Sequence, residues 1–155
     1  MTQNQKAFLD MIALSEIGKN LLDGSDNGYN VIVGSTAENP ILFDDYSDHP
    51  RRLINLGNGL KSTSAGRYQL LARYYDAYKA QLGLSDFSPD SQDAIALQQI
   101  KERHALDDID AGNFDVAVEK VSNIWASLPG AGYGQHENKL ADLRAAYVEA
   151  GGIII

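Results

Sequence analysis

Phe8, Ile12 and Glu16 follow one another at intervals of four, so on a 3.6-residue period a glutamate continues a stripe that is otherwise apolar. The stretch Asp10-Met11-Ile12-Ala13-Leu14-Ser15-Glu16-Ile17-Gly18 therefore predicts an amphipathic helix over about residues 3 to 15 or 16, carrying a carboxylate to its last turn. Gly18 suits the C-terminal cap. A carboxyl group closing an apolar face is partly desolvated, which disfavours its charged form and raises its pKa toward the range of a general acid. Glu16 is thus a candidate acid, weighed against the commoner case of a surface glutamate at a frayed helix end.

The rest of the chain alternates short β signals with helical ones. Residues 29–34, Tyr-Asn-Val-Ile-Val-Gly, are rich in β-branched and aromatic side chains and predict a strand; residues 40–44 predict a second, paired to it as a hairpin. Residues 19–28 read as a turn-rich, mobile loop, and residues 44–52 as a polar loop. A long helix is expected from about residue 65 to 82, with Leu71, Tyr75, Tyr78 and Leu82 on one face. Ser88-Pro89 is an N-cap followed by proline at the first helical position and opens a helix to about His104. Asn113 caps the most regular helix, through Phe114, Val118, Val121, Trp125 and Leu128. A last helix is expected from about Gln135 to Ala150. Five helices around a small hairpin make an α+β domain, and residues 1–155 read as a single domain.

Composition narrows the function. With 21 acidic against 13 basic residues the formal charge is −8, which argues against a nucleic-acid partner, since phosphate binding needs a basic surface. Cysteine is absent, so no disulfide or thiolate metal site exists. His49, His104 and His136 lack the i, i+4 pairing of a helical zinc site, and neither a metal nor a cofactor is expected. No run approaches the roughly 20 apolar residues of a membrane span, so no stable membrane insertion is expected. The polar start lacks the pattern of a secretory signal, and accumulation in the cytoplasm is expected.

Four blocks carry a resemblance. They are Lys6-Ala7-Phe8-Leu9-Asp10-Met11 with Ser15-Glu16; Asp45-Tyr46-Ser47-Asp48-His49-Pro50-Arg51; Leu60-Lys61-Ser62-Thr63 with Ala65-Gly66-Arg67-Tyr68-Gln69-Leu70-Leu71; and the run from Ser122 through Trp125, Ser127, Pro129 and Tyr133 to Gln135. In order and spacing these resemble the bacteriophage lambda endolysin family, lytic transglycosylases of lysozyme-like fold. The resemblance implies a mostly helical lobe and a small antiparallel β-hairpin lobe with a cleft between them. It implies cleavage of the bond between N-acetylmuramic acid and N-acetylglucosamine in peptidoglycan glycan strands, leaving 1,6-anhydromuramic ends. It further implies a protein that waits in the host cytoplasm and reaches the periplasm and cell wall once a holin opens the membrane; monomer is the default expectation for its oligomeric state.

On this resemblance Glu16 is the catalytic residue and Gln69 the first choice for binding substrate. Tyr68 is either a sugar platform or a core residue, Gly66 either a point of close backbone approach or a helix start, and Tyr133, Tyr46 and Ser127 are further sugar contacts. Trp125 falls on the regular apolar stripe and reads as core. A hydrolytic muramidase on the same fold would need a second carboxylate, for which Asp44, Asp45 and Asp48 are the candidates. An inactive glycan-binding module is the remaining alternative.

Overall fold

In the computed structural model, which describes residues 1–134 and 136–155, the elements run α1 (Gln3–Ile17), α2 (Lys19–Asp23), β1 (Ile54–Gly57), β2 (Leu60–Ser62), α3 (Ala72–Leu82), α4 (Pro89–Glu102), α5 (Leu106–Asp110), α6 (Phe114–Val121) and α7 (Leu140–Glu149). They fall into two units: Met1–Glu16 with Ala96–Ile155, and Ile17–Ile95. Among the described residues no helix is long and apolar enough to cross a membrane.

The first unit is built on α1, which buries Ala7, Phe8, Leu9, Met11, Ile12 and Ala13. Phe8 meets Phe114 and Tyr147 edge-on at centroid distances of 6.0 and 6.2 Å, and the latter two rings lie 4.7 Å apart. Such rings dominate a small core, so truncating one costs about 3–5 kcal/mol. Helix α6 begins where Asn113 predicts but stops at Val121, not Leu128. The groups that would continue it are drawn elsewhere: Ser122 Oγ donates to Glu119 O at 2.9 Å, and Asn123 accepts from Arg103 Nε at 3.1 Å and, on its main-chain oxygen, from Tyr133 OH at 2.6 Å. The chain goes on as tight turns, and Trp125 and Leu128 still enter the core. Helix α5, unanticipated in the sequence, is a single short helix between α4 and α6. The expected start of the last helix, Gln135, lies outside the described residues; α7 begins at Leu140.

In the second unit Ile32, Ala65, Leu70, Tyr75, Phe87 and Ile95 form the core. The expected pairing of residues 29–34 with 40–44 reduces to one antiparallel bridge, Val31 with Leu42. The reason is competition for the same backbone: Ile32 N–H goes to Ile41 O, but Val33 N–H goes to Ser64 O and Val31 O receives Gly66 N–H. The antiparallel sheet instead forms between β1 and β2, with Ile54 opposite Ser62 and Gly57 opposite Leu60. Its two-residue turn, Asn58-Gly59, has both residues at positive φ, 54° and 76°, as a hairpin of this length requires. The mobile loop expected over residues 19–28 contains α2, stapled by Lys19 to Asp23 at 3.0 Å with Leu21 buried.

The long helix expected from residue 65 starts only at Ala72. Residues 65–70 form a tight loop closed by reciprocal bonds between Ala65 and Leu70, at 3.1 and 2.9 Å. Gly66 sits inside it at φ 86°, where an added Cβ would lie 2.4 Å from Gln92 Oε1 and 2.9 Å from Phe87 Cζ. Close backbone approach is therefore its role. Buried Gln92, on the first turn of α4, supports the loop by accepting Arg67 N–H at 2.9 Å and donating to Tyr29 O and Phe87 O at 3.0 and 2.9 Å.

Candidate active site

Glu16 occupies the last turn of α1, and the helix ends one residue later because Gly18 takes φ 87°, ψ 152°, a conformation essentially reserved for glycine. The Glu16 side chain is half-buried, and loss of hydration pushes its carboxyl above the ordinary 4.5. The hydroxyl and main-chain N–H of Ser127 oppose that rise but do not cancel it. Ser127 Oγ donates to Glu16 Oε2 and lies 2.8 Å from Ser15 Oγ. Ser15 in turn is held by Asn138, whose Nδ2 donates to Ser15 O at 3.1 Å and to Ser15 Oγ at 2.9 Å. Asn138 N–H closes the circuit on Ser127 O at 2.7 Å. The result is a carboxyl whose burial favours the protonated form and whose one oxygen is held in place, features that suit a general acid.

Tyr133 shares this unit and is 54% exposed, leaving its ring open while its hydroxyl is anchored on Asn123. The turn before it is clasped by Glu137, which accepts Gly130 N–H at 3.0 Å and Gly132 N–H at 3.1 Å; these bonds hold the Glu137 carboxyl below its usual range. Ser127, expected as a sugar contact, donates its hydroxyl to Glu16.

Gln69, Tyr68 and Tyr46 belong to the second unit. Gln69 stands in the 65–70 loop at φ 52°, not on a helix, with its Nε2 given to Gly66 O at 2.9 Å and more weakly to Val31 O at 3.4 Å. Its side-chain oxygen is the group left to receive a donor from a ligand. Tyr68 is 5% exposed, and its hydroxyl donates to Asp93 at 2.6 Å and accepts from Arg67 at 3.1 Å; burial pushes its pKa up. Of its two readings, the core one describes this position. Tyr46 is half-buried against Phe43 and donates to Asp26 at 2.6 Å.

The acids weighed as second carboxylates sit nearby in sequence but are differently engaged. Asp48 pairs with Arg51 at 2.8 Å, and Asp45 caps Ser47 N–H at 2.8 Å; both bonds hold the carboxyl below its usual range. Asp44 is exposed. Ser15 and Asn138 escaped the sequence reading. Ser15 adjoins Glu16 but carries no signal of its own beyond the motif, whereas Asn138 lies 122 positions from Glu16 with no local signal to connect them.

Comparison with known proteins gives a consistent picture. A family model described as Endolysin matches residues 6–154. The endolysin of Escherichia phage lambda is 59% identical over 155 residues, covering 99% of this chain and 95% of its own. The endolysin of Escherichia phage P2 is 49% identical over 157 aligned positions, covering 97% and 94%. Among solved structures, bacteriophage lambda lysozyme complexed with a chitohexasaccharide matches with a TM-score of 0.88 at 56% identity, over 100% of this chain and 98% of that one. A second structure of the lambda lysozyme matches over the same shares at 0.84. The fold is that of the lambda lysozyme, mostly helical with a small two-stranded antiparallel sheet.

Proposed function

Because the chain belongs to the endolysin family, we propose that it is a single catalytic domain that cuts peptidoglycan glycan strands by lytic transglycosylation, with Glu16 as acid and then base. The observation that carries this reading is the Glu16 carboxyl, half-buried, raised in pKa and held on one oxygen by Ser127. In the first half-reaction protonated Glu16 gives its proton to the oxygen linking C1 of N-acetylmuramic acid to N-acetylglucosamine, and that bond breaks. In the second, the Glu16 carboxylate takes the proton from the muramyl C6 hydroxyl as O6 closes onto C1. One carboxyl completes the cycle, no water is consumed, and the nucleophile is part of the same sugar as the electrophile, which makes ring closure intramolecular.

Of the three aspartates weighed as a second carboxylate, Asp48 is committed to Arg51 and Asp45 to a turn, which supports a single-carboxylate route and leaves exposed Asp44 as the residue a hydrolytic route would have to use. For the glycan itself, the lambda relative's complex with a chitohexasaccharide supports an extended chain of N-acetylated sugars as ligand. Gln69 is proposed to meet an N-acetyl group or ring hydroxyl, Tyr133 and Tyr46 to contact sugar, and Tyr68 to hold the Gln69 loop from beneath. The protein is proposed to act as a monomer, retained in the host cytoplasm until a holin opens the membrane.

Mass spectrometry of purified murein after digestion tests the mechanism. Transglycosylation leaves muramic ends one water lighter than hydrolysis, so reducing ends in place of anhydro ends would assign the chain to hydrolytic muramidases. Glu16→Gln, which keeps the shape but cannot cycle a proton, is expected to abolish digestion.

A further inference from the structure

The hydrogen bonds around Glu16 have a direction that the geometry fixes. Asn138 Nδ2 faces the main-chain oxygen of Ser15, which can only accept, so that atom must be the amide nitrogen and not the amide oxygen. Its second hydrogen meets Ser15 Oγ at 2.9 Å. Ser15 Oγ is therefore an acceptor toward Asn138, and its own single hydrogen is free to point at Ser127 Oγ, 2.8 Å away. Ser127 then spends its one hydrogen on Glu16 Oε2. The opposite arrangement, with a proton on Oε2 donated to Ser127, would turn the Ser127 hydrogen back onto Ser15 Oγ and leave the Ser15 hydrogen with no acceptor among the described residues, since the side-chain partners of Ser15 there are Asn138 and Ser127. A half-buried hydroxyl stranded in that way is costly.

We propose that Asn138 is a positioning residue for Glu16: through Ser15 it fixes the Ser127 hydroxyl as a donor to Oε2, leaving Oε1 as the oxygen that carries the proton and delivers it to the glycosidic bond. The inference rests on Glu16 being the acid proposed above, but the wiring itself is independent of which sugar bond is cut. Desolvation raises the pKa of this carboxyl, and the two Ser127 bonds act against that rise.

The sign of the effect makes the wiring testable. A hydroxyl that donates to a carboxylate stabilises the charged form, so deleting it raises the carboxyl pKa; a hydroxyl that accepts from a carboxylic acid does the reverse. The experiment is a 13C NMR titration of the side-chain carboxyl resonances in glutamate-labelled full-length protein, with the Glu16 signal assigned by its loss in Glu16→Gln. Ser127→Ala is expected to move the Glu16 midpoint to higher pH. Ser15→Ala and Asn138→Ala are expected to move it in the same direction by less, because Ser127 keeps its hydrogen but loses the constraint on where to send it. Asn138→Asp, which presents an acceptor to Ser15 and adds a negative charge, is expected to exceed Asn138→Ala.

A downward shift in Ser127→Ala would overturn the donor assignment. An unchanged midpoint in both Ser15→Ala and Asn138→Ala would overturn the role of Asn138, and with two variants available the test survives the failure of either one to fold. The alkaline limb of kcat/KM on murein is expected to follow the NMR midpoint across the series. If the midpoints move as described and the activity limb does not, the wiring stands and Glu16 is not the acid of the reaction.

Discussion

Glu16→Gln is expected to stabilise the folded protein at neutral pH even as it removes activity. A carboxyl whose pKa is raised by folding binds its proton more tightly in the native state, so its contribution to stability is complete below the ordinary value of 4.5 and is lost as pH rises through the folded value. Above that value the wild type must either hold a charge in a poorly hydrated place or unfold, whereas the amide carries no such cost. The difference in melting temperature between variant and wild type should therefore be close to nil at pH 4 and grow toward pH 8. His49 has the opposite sign. Buried against Phe87 and Tyr75, it accepts Arg51 N–H on Nδ1 at 2.9 Å and contacts Leu70 O through Nε2 at 2.8 Å, which fixes the neutral tautomer with the proton on Nε2. Desolvation holds its pKa below 6.5, so the stability it contributes is complete above 6.5 and is lost as pH falls from there through the depressed folded value. His49→Gln is expected to flatten the melting-temperature profile over that acidic window. Tyr75 offers a third test: its hydroxyl is fully buried and has no hydrogen-bond partner among the described residues, so Tyr75→Phe is expected to gain about 1 kcal/mol, read by chemical denaturation.

Among the elements, the loop of residues 65–70 carries Gln69, and its shape depends on the space left by Gly66. Gly66→Ala places a methyl group against Gln92 and Phe87 at a positive φ and is expected to cost about 1–3 kcal/mol, with weaker glycan binding through displacement of Gln69. Isothermal titration with a chitooligosaccharide, alongside denaturation, separates the two losses. This loop also marks where sequence periodicity stops being informative. Leu71, Tyr75, Tyr78 and Leu82 predict α3 correctly from its start onward, but the residues before Ala72 are shaped by Gln92, which lies in another helix. The Ser88-Pro89 start of α4 was legible because a cap is a local device; Ser88 Oγ receives Ser91 N–H at 3.3 Å. The β1–β2 hairpin had a local signal too, Asn-Gly between Leu56-Gly57 and Leu60, but its strands are short and mostly exposed, so no apolar alternation advertised them. At the candidate site, the half-buried position of Glu16 was legible from its place on an apolar stripe. Its partners were not, because Ser127 and Asn138 reach it through turns that follow the early end of α6.

Taken whole, the chain carries a formal charge of −8 and an ion-pair inventory that is mainly exposed, which contributes little to stability. Its larger effect is on encounter. An anionic wall repels an anionic enzyme, and because the screening length shrinks from about 30 Å at 0.01 M salt to about 10 Å at 0.1 M, the initial rate of murein digestion is expected to rise over that range. A rate that falls instead would locate a basic surface patch as the docking determinant. Charge also bears on how the protein ages. Two Asn-Gly pairs occur, and they differ in how open the glycine nitrogen is to attack on the asparagine amide. Gly28 is buried with its N–H bonded to Ser25 Oγ at 3.0 Å, whereas Gly59, at the exposed hairpin turn, has open space around it. Ring closure onto Asn58 with release of ammonia is therefore the expected route of deamidation on storage, producing a more acidic species on isoelectric focusing whose altered peptide maps to the tip of the hairpin.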